Sequence, residues 1–251
     1  MKNIILVGSG NVATHLGIAL QKGNYPIVQV YSRSIENAKK LAEKLNTNYT
    51  NDLTQLKTAD LIIVSVNDDA ISKVLSQIKN TSIVHTSGSI GINIFNDHFS
   101  NYGVLYPLQT FNKEVNVNIS EIPFCIEGNN LAFEKQLTTL AKQLSNNVVL
   151  MDSEQRKQVH IAAVFACNFS NQMFSIADDL LAEKNLDFKI LLPLIKQTIA
   201  KLSTNKPKAV QTGPAKRNDN NIIQEHIKHI NKQEVKDLYQ EISNNIIRTH
   251  E

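Results

Sequence analysis

Gly8-Ser9-Gly10-Asn11-Val12-Ala13 is a GxGxxA string between an apolar run and an amphipathic one. At such a junction Gly8 permits a tight turn and Gly10 lets backbone approach a pyrophosphate. Ala13 lets the following helix pack closely on the strand. The helix start, from Asn11 and Val12 onward, then turns free N–H groups and a positive dipole end toward the anion. The next strand ends in Tyr31-Ser32-Arg33-Ser34. An NAD site carries an acid at that place to bind the ribose 2′-hydroxyl. Arg33 instead offers a charged fork to a 2′-phosphate, and Ser32 and Ser34 offer hydroxyls. The expected cofactor is NADP(H).

Other residues follow the strand ends on the same edge. Val66 and Asn67, after the run Leu61 to Val66, are expected under the cofactor; Asp69 reads better as a helix N-cap than as a ligand. Ser87, in His85-Thr86-Ser87-Gly88, could reach the nicotinamide or serve the turn alone. Gln109 and Thr110 follow a further strand and are placed at the cleft. His160, Val164 and Asn168 are spaced by four and share a helix face. His160 suits proton transfer near neutral pH and Asn168 suits orienting a carbonyl, with a buried, satisfied pair as the competing reading. Arg217, in Thr212-Gly213-Pro214-Ala215-Lys216-Arg217, could clamp a substrate carboxylate. Asp219 would orient that arginine or cap the next helix. His226 and His229 read as surface residues, and no metal site is expected.

These residues need a scaffold. β-branched runs at Asn3–Val7, Ile27–Tyr31, Asp60–Val66, Ser82–His85 and Gly103–Tyr106 alternate with helical spacing at Asn11–Lys22, Ile35–Leu45 and Asp69–Ile78. That alternation predicts right-handed crossovers and a parallel sheet. Phe124–Glu127, Leu131–Leu144 and Val148–Met151 add a strand, a helix and a strand. From Ser153 onward the strand pattern stops. Helices are expected over Glu154–Glu183, Phe188–Ser203, Asn220–Asn231 and 232–251, with a loop over Asn205–Asn218. The fold class is α/β: a Rossmann-type parallel sheet domain over 1–152, then an all-α domain over 153–251.

Composition narrows the function. With 42% hydrophobic and 20% charged residues, the 251-residue chain is ordinary globular material. Lys and Arg exceed Asp and Glu by only 26 to 23, with no basic block, so nucleic-acid binding is disfavoured. No apolar run is long enough for a membrane helix. The apolar segment after Met1-Lys2-Asn3 is too short for a leader, so a cytoplasmic protein is expected. Cys125 and Cys167, without metal spacing, read as buried reduced thiols.

The segments GSGNVATHL, YSRS, DLIIVSVNDDAI, HTSGS, YPLQTF, HIAAVFACNF and TGPAKRND, in this order, resemble the bacterial proteins that join a Rossmann-like oxidoreductase domain to a C-terminal helical domain of unknown function. More distantly the chain is similar to pyrroline-5-carboxylate reductase, ketopantoate reductase, the deazaflavin-dependent NADP reductases and the β-hydroxyacid dehydrogenases. The resemblance implies NADP(H) binding, hydride transfer with a small-molecule substrate, and a homodimer built through the helical domain. It departs from the β-hydroxyacid dehydrogenases at their Lys-x-x-x-Asn pair. Here the helix carries His160 and Asn168, and Lys157 lies off that face. Two functions are compatible with this sequence: an NADP(H)-dependent oxidoreductase of a small carbonyl or imine acid, and a catalytically silent NADP(H) sensor or scaffold.

Overall fold

The computed structural model describes residues 3–79, 82–95 and 99–250. Met1, Lys2 and Glu251, on which parts of the terminal expectations fall, lie outside them. The chain divides into two compact units, Met1–Cys167 and Asn168–Glu251.

The first unit is a sheet covered on both faces. Its strands are β1 (Ile4–Val7), β2 (Ile27–Tyr31), β3 (Asn48–Thr50), β4 (Leu61–Val64), β5 (Ile83–His85), β6 (Tyr102–Pro107), β7 (Phe124–Gly128) and β8 (Val148–Leu150). Between them run α1 (Asn11–Lys22), α2 (Ile35–Lys44), α3 (Asp68–Leu75) and α4 (Leu131–Leu144), and α5 (Ser153–Ala163) closes the unit. The sheet order is β3-β2-β1-β4-β5-β6-β7-β8. Every residue of β1 and β4 is buried. They show no alternation because helices cover both faces. One apolar cluster joins Leu6, Leu16, Leu20 and Leu41 to Phe124, Phe133 and Leu137. A second joins Ile5, Val7, Ile62, Val64, Ile71 and Phe95.

The structure departs from the sequence expectations in four respects. β3 carries too little apolar pattern to be read, with Asn48 and Tyr49 exposed. β6 and β7 pair antiparallel, so the sheet is mostly rather than wholly parallel. Their link contains only a three-residue 3-10 turn, Ile119–Glu121, and a parallel return needs a longer crossover, usually a helix. The long helix expected from Glu154 is interrupted by a π-helical segment, Val164–Phe169, before α6 (Ser170–Ala182). The helix expected over Asp69–Ile78 runs instead over Asp68–Leu75. Asn67 holds its N-cap position and Asp69 lies in its first turn.

The second unit consists of α6, α7 (Leu192–Lys201), α8 (Asn220–His229) and α9 (Gln233–His250). α6 and α7 bury no residue. Leu194 and Ile199 of α7 are 64% and 61% exposed, and Ile190, in the 3-10 turn before it, is 58% exposed, a cluster of large apolar side chains open to solvent. Cys125 is buried as expected, but Cys167 is exposed, in a segment where Phe165 and Phe169 are exposed as well. Among the described residues no helix is long and apolar enough to cross a membrane.

Candidate functional site

The strand order reverses between β1 and β4, and ligands of such sheets bind beyond the carboxyl ends of the strands there. Gly8 sits at that point with φ +127°, a conformation that side chains rarely adopt. A Cβ on it would lie 2.0 Å from the Ser65 carbonyl oxygen. Its amide donates to the Tyr31 carbonyl at 2.8 Å. The turn is thus wedged between the ends of β2 and β4. Gly10 occupies the N-cap of α1 and offers no capping side chain. A Cβ on Gly10 would meet nothing within 4 Å. The first-turn amides of α1, including those of Asn11 and Val12, lack an intrahelical partner by geometry, so the start of α1 fits an anion. Ala13 is fully buried beneath it.

Ser9 Oγ donates to Ser32 Oγ at 2.8 Å, which joins the glycine turn to the end of β2. Arg33 follows and is exposed. The Ser34 hydroxyl is taken up locally. It accepts from Asn37 N–H at the start of α2 and donates to Glu36 at 2.8 Å. A cavity of about 540 Å³ flanks this corner, lined by Ser9, Asn37, Lys40 and Lys113 among others. The Asn11 carboxamide donates to the Phe111 carbonyl at 2.9 Å and accepts from Lys113 N–H at 3.2 Å. Its side chain therefore ties the β6–β7 link to α1. Gln109 is exposed, and its Oε1 accepts from Thr110 N–H.

The ends of β4 and β5 are joined by a Ser65–Thr86 hydroxyl pair at 2.9 Å. This brings Val66 and Asn67 close in sequence to one side of the pair and Ser87 to the other. Ser87 Oγ accepts from the N–H groups of Ser89 and Ile90, both at 3.1 Å, so it shapes the turn. His160, on α5, reaches the same turn. A Cβ on Gly88 would lie 2.7 Å from His160 Nδ1 and 2.7 Å from Tyr106 Cζ. Tyr106 Oη and His160 Nδ1 are 3.0 Å apart. In the second unit, Asn168 and Arg217 are both exposed. Asp219 caps α8 by accepting from Ile222 N–H at 3.3 Å. His226 pairs with Tyr239 at 2.7 Å, and no group of three or more metal-ligating side chains occurs among the described residues.

The domain described as NADP oxidoreductase, coenzyme F420-dependent, matches residues 3–88. The domain of unknown function DUF2520 matches residues 122–246. A crystal structure from Bacteroides fragilis, provisionally assigned as an NADP oxidoreductase, is 43% identical over 98% of each chain, with a TM-score of 0.94. The chain belongs to this two-domain family. A Thermotoga maritima protein is 25% identical over 98% of each chain, at TM-score 0.71. A reductive aminase from Aspergillus terreus, solved with NADPH and ethyl levulinate, shares the fold at TM-score 0.73 and 13% identity, over 99% of this chain and 94% of that one. Comparison with curated proteins returns no match.

Two features of the first compact unit escaped the sequence reading. Arg156, one turn before His160, is 1% exposed and pairs with Glu127 of β7. It also donates to the Ile90 carbonyl at 2.6 Å and to Ser153 Oγ at 3.2 Å. Ser153 Oγ in turn donates to Glu127 at 2.8 Å and accepts from Ile92 N–H at 2.9 Å. These bonds staple the start of α5 to β7 and to the segment after Gly88.

The second is His85, fully buried and stacked on Phe95 at 5.5 Å. Its Nδ1 accepts from Ser87 N–H at 3.2 Å, which fixes the turn leading to Gly88. Burial, aided by the nearby Arg156 charge and opposed by the Gly91 backbone, pushes its pKa down to about 3. The unfolded chain therefore binds a proton near pH 6.5 that the native state refuses until about pH 3. The associated stability is fully present above pH 6.5 and is lost as pH falls, at about 1.4 kcal/mol per unit. Urea unfolding between pH 7 and 4 should show this loss, and His85→Gln should flatten it. Equal slopes in the two proteins would remove His85 as the cause.

Proposed function

We propose that this protein is an NADP(H)-dependent oxidoreductase acting on a small carbonyl or imine acid. The observation that carries the reading is the corner where the glycine turn meets the end of β2. Ser9 and Ser32 are hydroxyl-paired there, Arg33 follows, and the strand end lacks the acid that would repel a 2′-phosphate. The open space at Gly10 and the uncapped start of α1 fit a pyrophosphate. Gly8, Ser9, Gly10, Asn11 and Val12 would hold the phosphates, chiefly by backbone. Ser32 and Arg33 would hold the 2′-phosphate. Val66, Asn67 and Ser87 would border the cofactor at the ends of β4 and β5. When bound, NADP(H) supplies or accepts the hydride.

His160 is the acid. It stands against the backbone at Gly88, beyond the strand end where the reacting carbon is expected. It gives a proton to the carbonyl oxygen or imine nitrogen as charge develops there. By residue type, Asn168 would suit orienting a carbonyl and Arg217 binding a carboxylate, and each of them, like Gln109, is exposed and open to a ligand. The active form is a homodimer through the helical unit. α6 and α7 bury nothing in the single chain, and exposed Ile190, Leu194, Ile199 and Leu202 need an apolar cover. The exposed free thiol of Cys167 suits the reducing cytoplasm.

The test is NADPH consumption with a panel of 2-oxo acids, 3-oxo acids and cyclic imine acids, with product analysis. Reduction of at least one, preferred with NADPH over NADH, is expected. Intact NADPH binding without turnover of any member would favour the sensor reading instead.

A further inference from the structure

We propose that Tyr106 is a positioning residue for proton transfer, holding His160 through Nδ1 so that Nε2 alone exchanges the proton with substrate. The inference rests on His160 being the acid. Tyr106 is the penultimate residue of β6, and His160 stands on α5, 54 positions later. Their atoms meet at 3.0 Å, and their rings lie edge to face with centroids 6.0 Å apart. Gly88 completes the arrangement from the backbone side, because any side chain there would strike both rings. The imidazole is thus confined by a strand, a turn and a hydroxyl at once.

This confinement has a chemical consequence. A neutral imidazole carries its proton on either nitrogen, and a ring free to swing would present either one to the substrate. Nδ1 carries a proton both in the imidazolium that gives up the Nε2 proton and in the Nδ1–H tautomer left behind, and the phenol oxygen can accept from it in each. Tyr106 can therefore follow the ring through both protonation states without moving, and Nε2 is left for the reaction. The proton leaves Nε2 for the oxygen or nitrogen of the reduced bond, and solvent returns it. Tyr106 is not the proton source. Burial, with the Cys125 and Asp68 charges adding and Arg156 opposing, pushes its phenol up to about 12, so it stays protonated through the neutral range.

Tyr106→Phe keeps the ring and removes the hydroxyl. The expected result is a fall of about tenfold in kcat with the NADPH dissociation constant unchanged. In nitrogen-15 spectra, wild-type His160 should show one tautomer with Nδ1 hydrogen-bonded, and Tyr106→Phe should show a mixture. Wild-type kcat in the variant would overturn the proposal. So would a mixed tautomer in the wild-type protein, which needs no variant to fold. If His160→Ala leaves turnover intact, the reading of His160 falls. If His160→Ala abolishes turnover and Tyr106→Phe leaves it intact, only the role of Tyr106 falls.

Discussion

His160→Ala should lower kcat by about 10²–10⁴-fold while the NADPH dissociation constant stays the same. General acid catalysis acts in the transition state, so its removal falls on kcat and not on ground-state cofactor binding. The geometry predicts this split. His160 meets Tyr106 and Gly88, whereas the glycine turn is tied to the end of β2 through Ser9 and Ser32. Truncation opens space beside Gly88 without disturbing the strands, since the ring is only half-buried. Steady-state kinetics on whichever panel substrate is reduced, together with a fluorescence titration of NADPH, checks both halves. A parallel loss of cofactor binding would mean that His160 supports the fold or the cofactor rather than the proton.

Arg156→Met should destabilise the first unit by about 3 kcal/mol. Removing one partner of a buried ion pair typically costs about 3–5 kcal/mol, because the other charge stays buried without compensation. The low end applies here. Glu127 is 14% exposed and keeps the hydrogen bond from Ser153, so water and that hydroxyl carry part of its charge. The Ile90 carbonyl also loses its donor. The double variant Glu127→Leu/Arg156→Met should recover most of the loss, since an apolar pair removes the stranded carboxylate. Urea unfolding of the three proteins measures this directly. Equal stability of wild type and Arg156→Met would show that the pair contributes nothing net. Loosening α5 also releases His160, so the single variant should lose kcat beyond its loss of stability.

The parts of this molecule that were legible in the sequence are those whose cause is local. Gly8 was readable because a positive φ at a strand–helix junction admits little else. α1 was readable because Val12, Leu16, Ala19 and Leu20 repeat along one face. The illegible parts depend on distant partners. Tyr106 meets a histidine 54 residues away, and Arg156 meets a glutamate 29 residues away. No spacing rule links either pair. The antiparallel β6–β7 pairing had one usable signal, the lack of a helix-length amphipathic stretch between Leu108 and Pro123. The π-helical segment had none, since an apolar run there is compatible with either pitch. A wider turn there changes the rotation between His160 and Asn168, whose spacing by eight, through Val164, had placed them on one α-helical face. Ser34 shows the converse error. A hydroxyl next to an arginine at a strand end suggested a phosphate ligand, but the same position is the N-cap of α2 and the helix claims it.

The most direct measurement is a fluorescence titration of the full chain with NADPH and NADH, in wild type and in Arg33→Ala. NADPH should bind the wild type at least about tenfold more tightly than NADH, a difference of about 1.4 kcal/mol, within the range for charge-assisted hydrogen bonds to a 2′-phosphate. Arg33→Ala should remove most of that preference and leave NADH affinity unchanged. Equal binding of the two cofactors by the wild type, or no binding of either, would contradict the assignment of the Ser9–Ser32–Arg33 corner to NADP(H) and the function built on it.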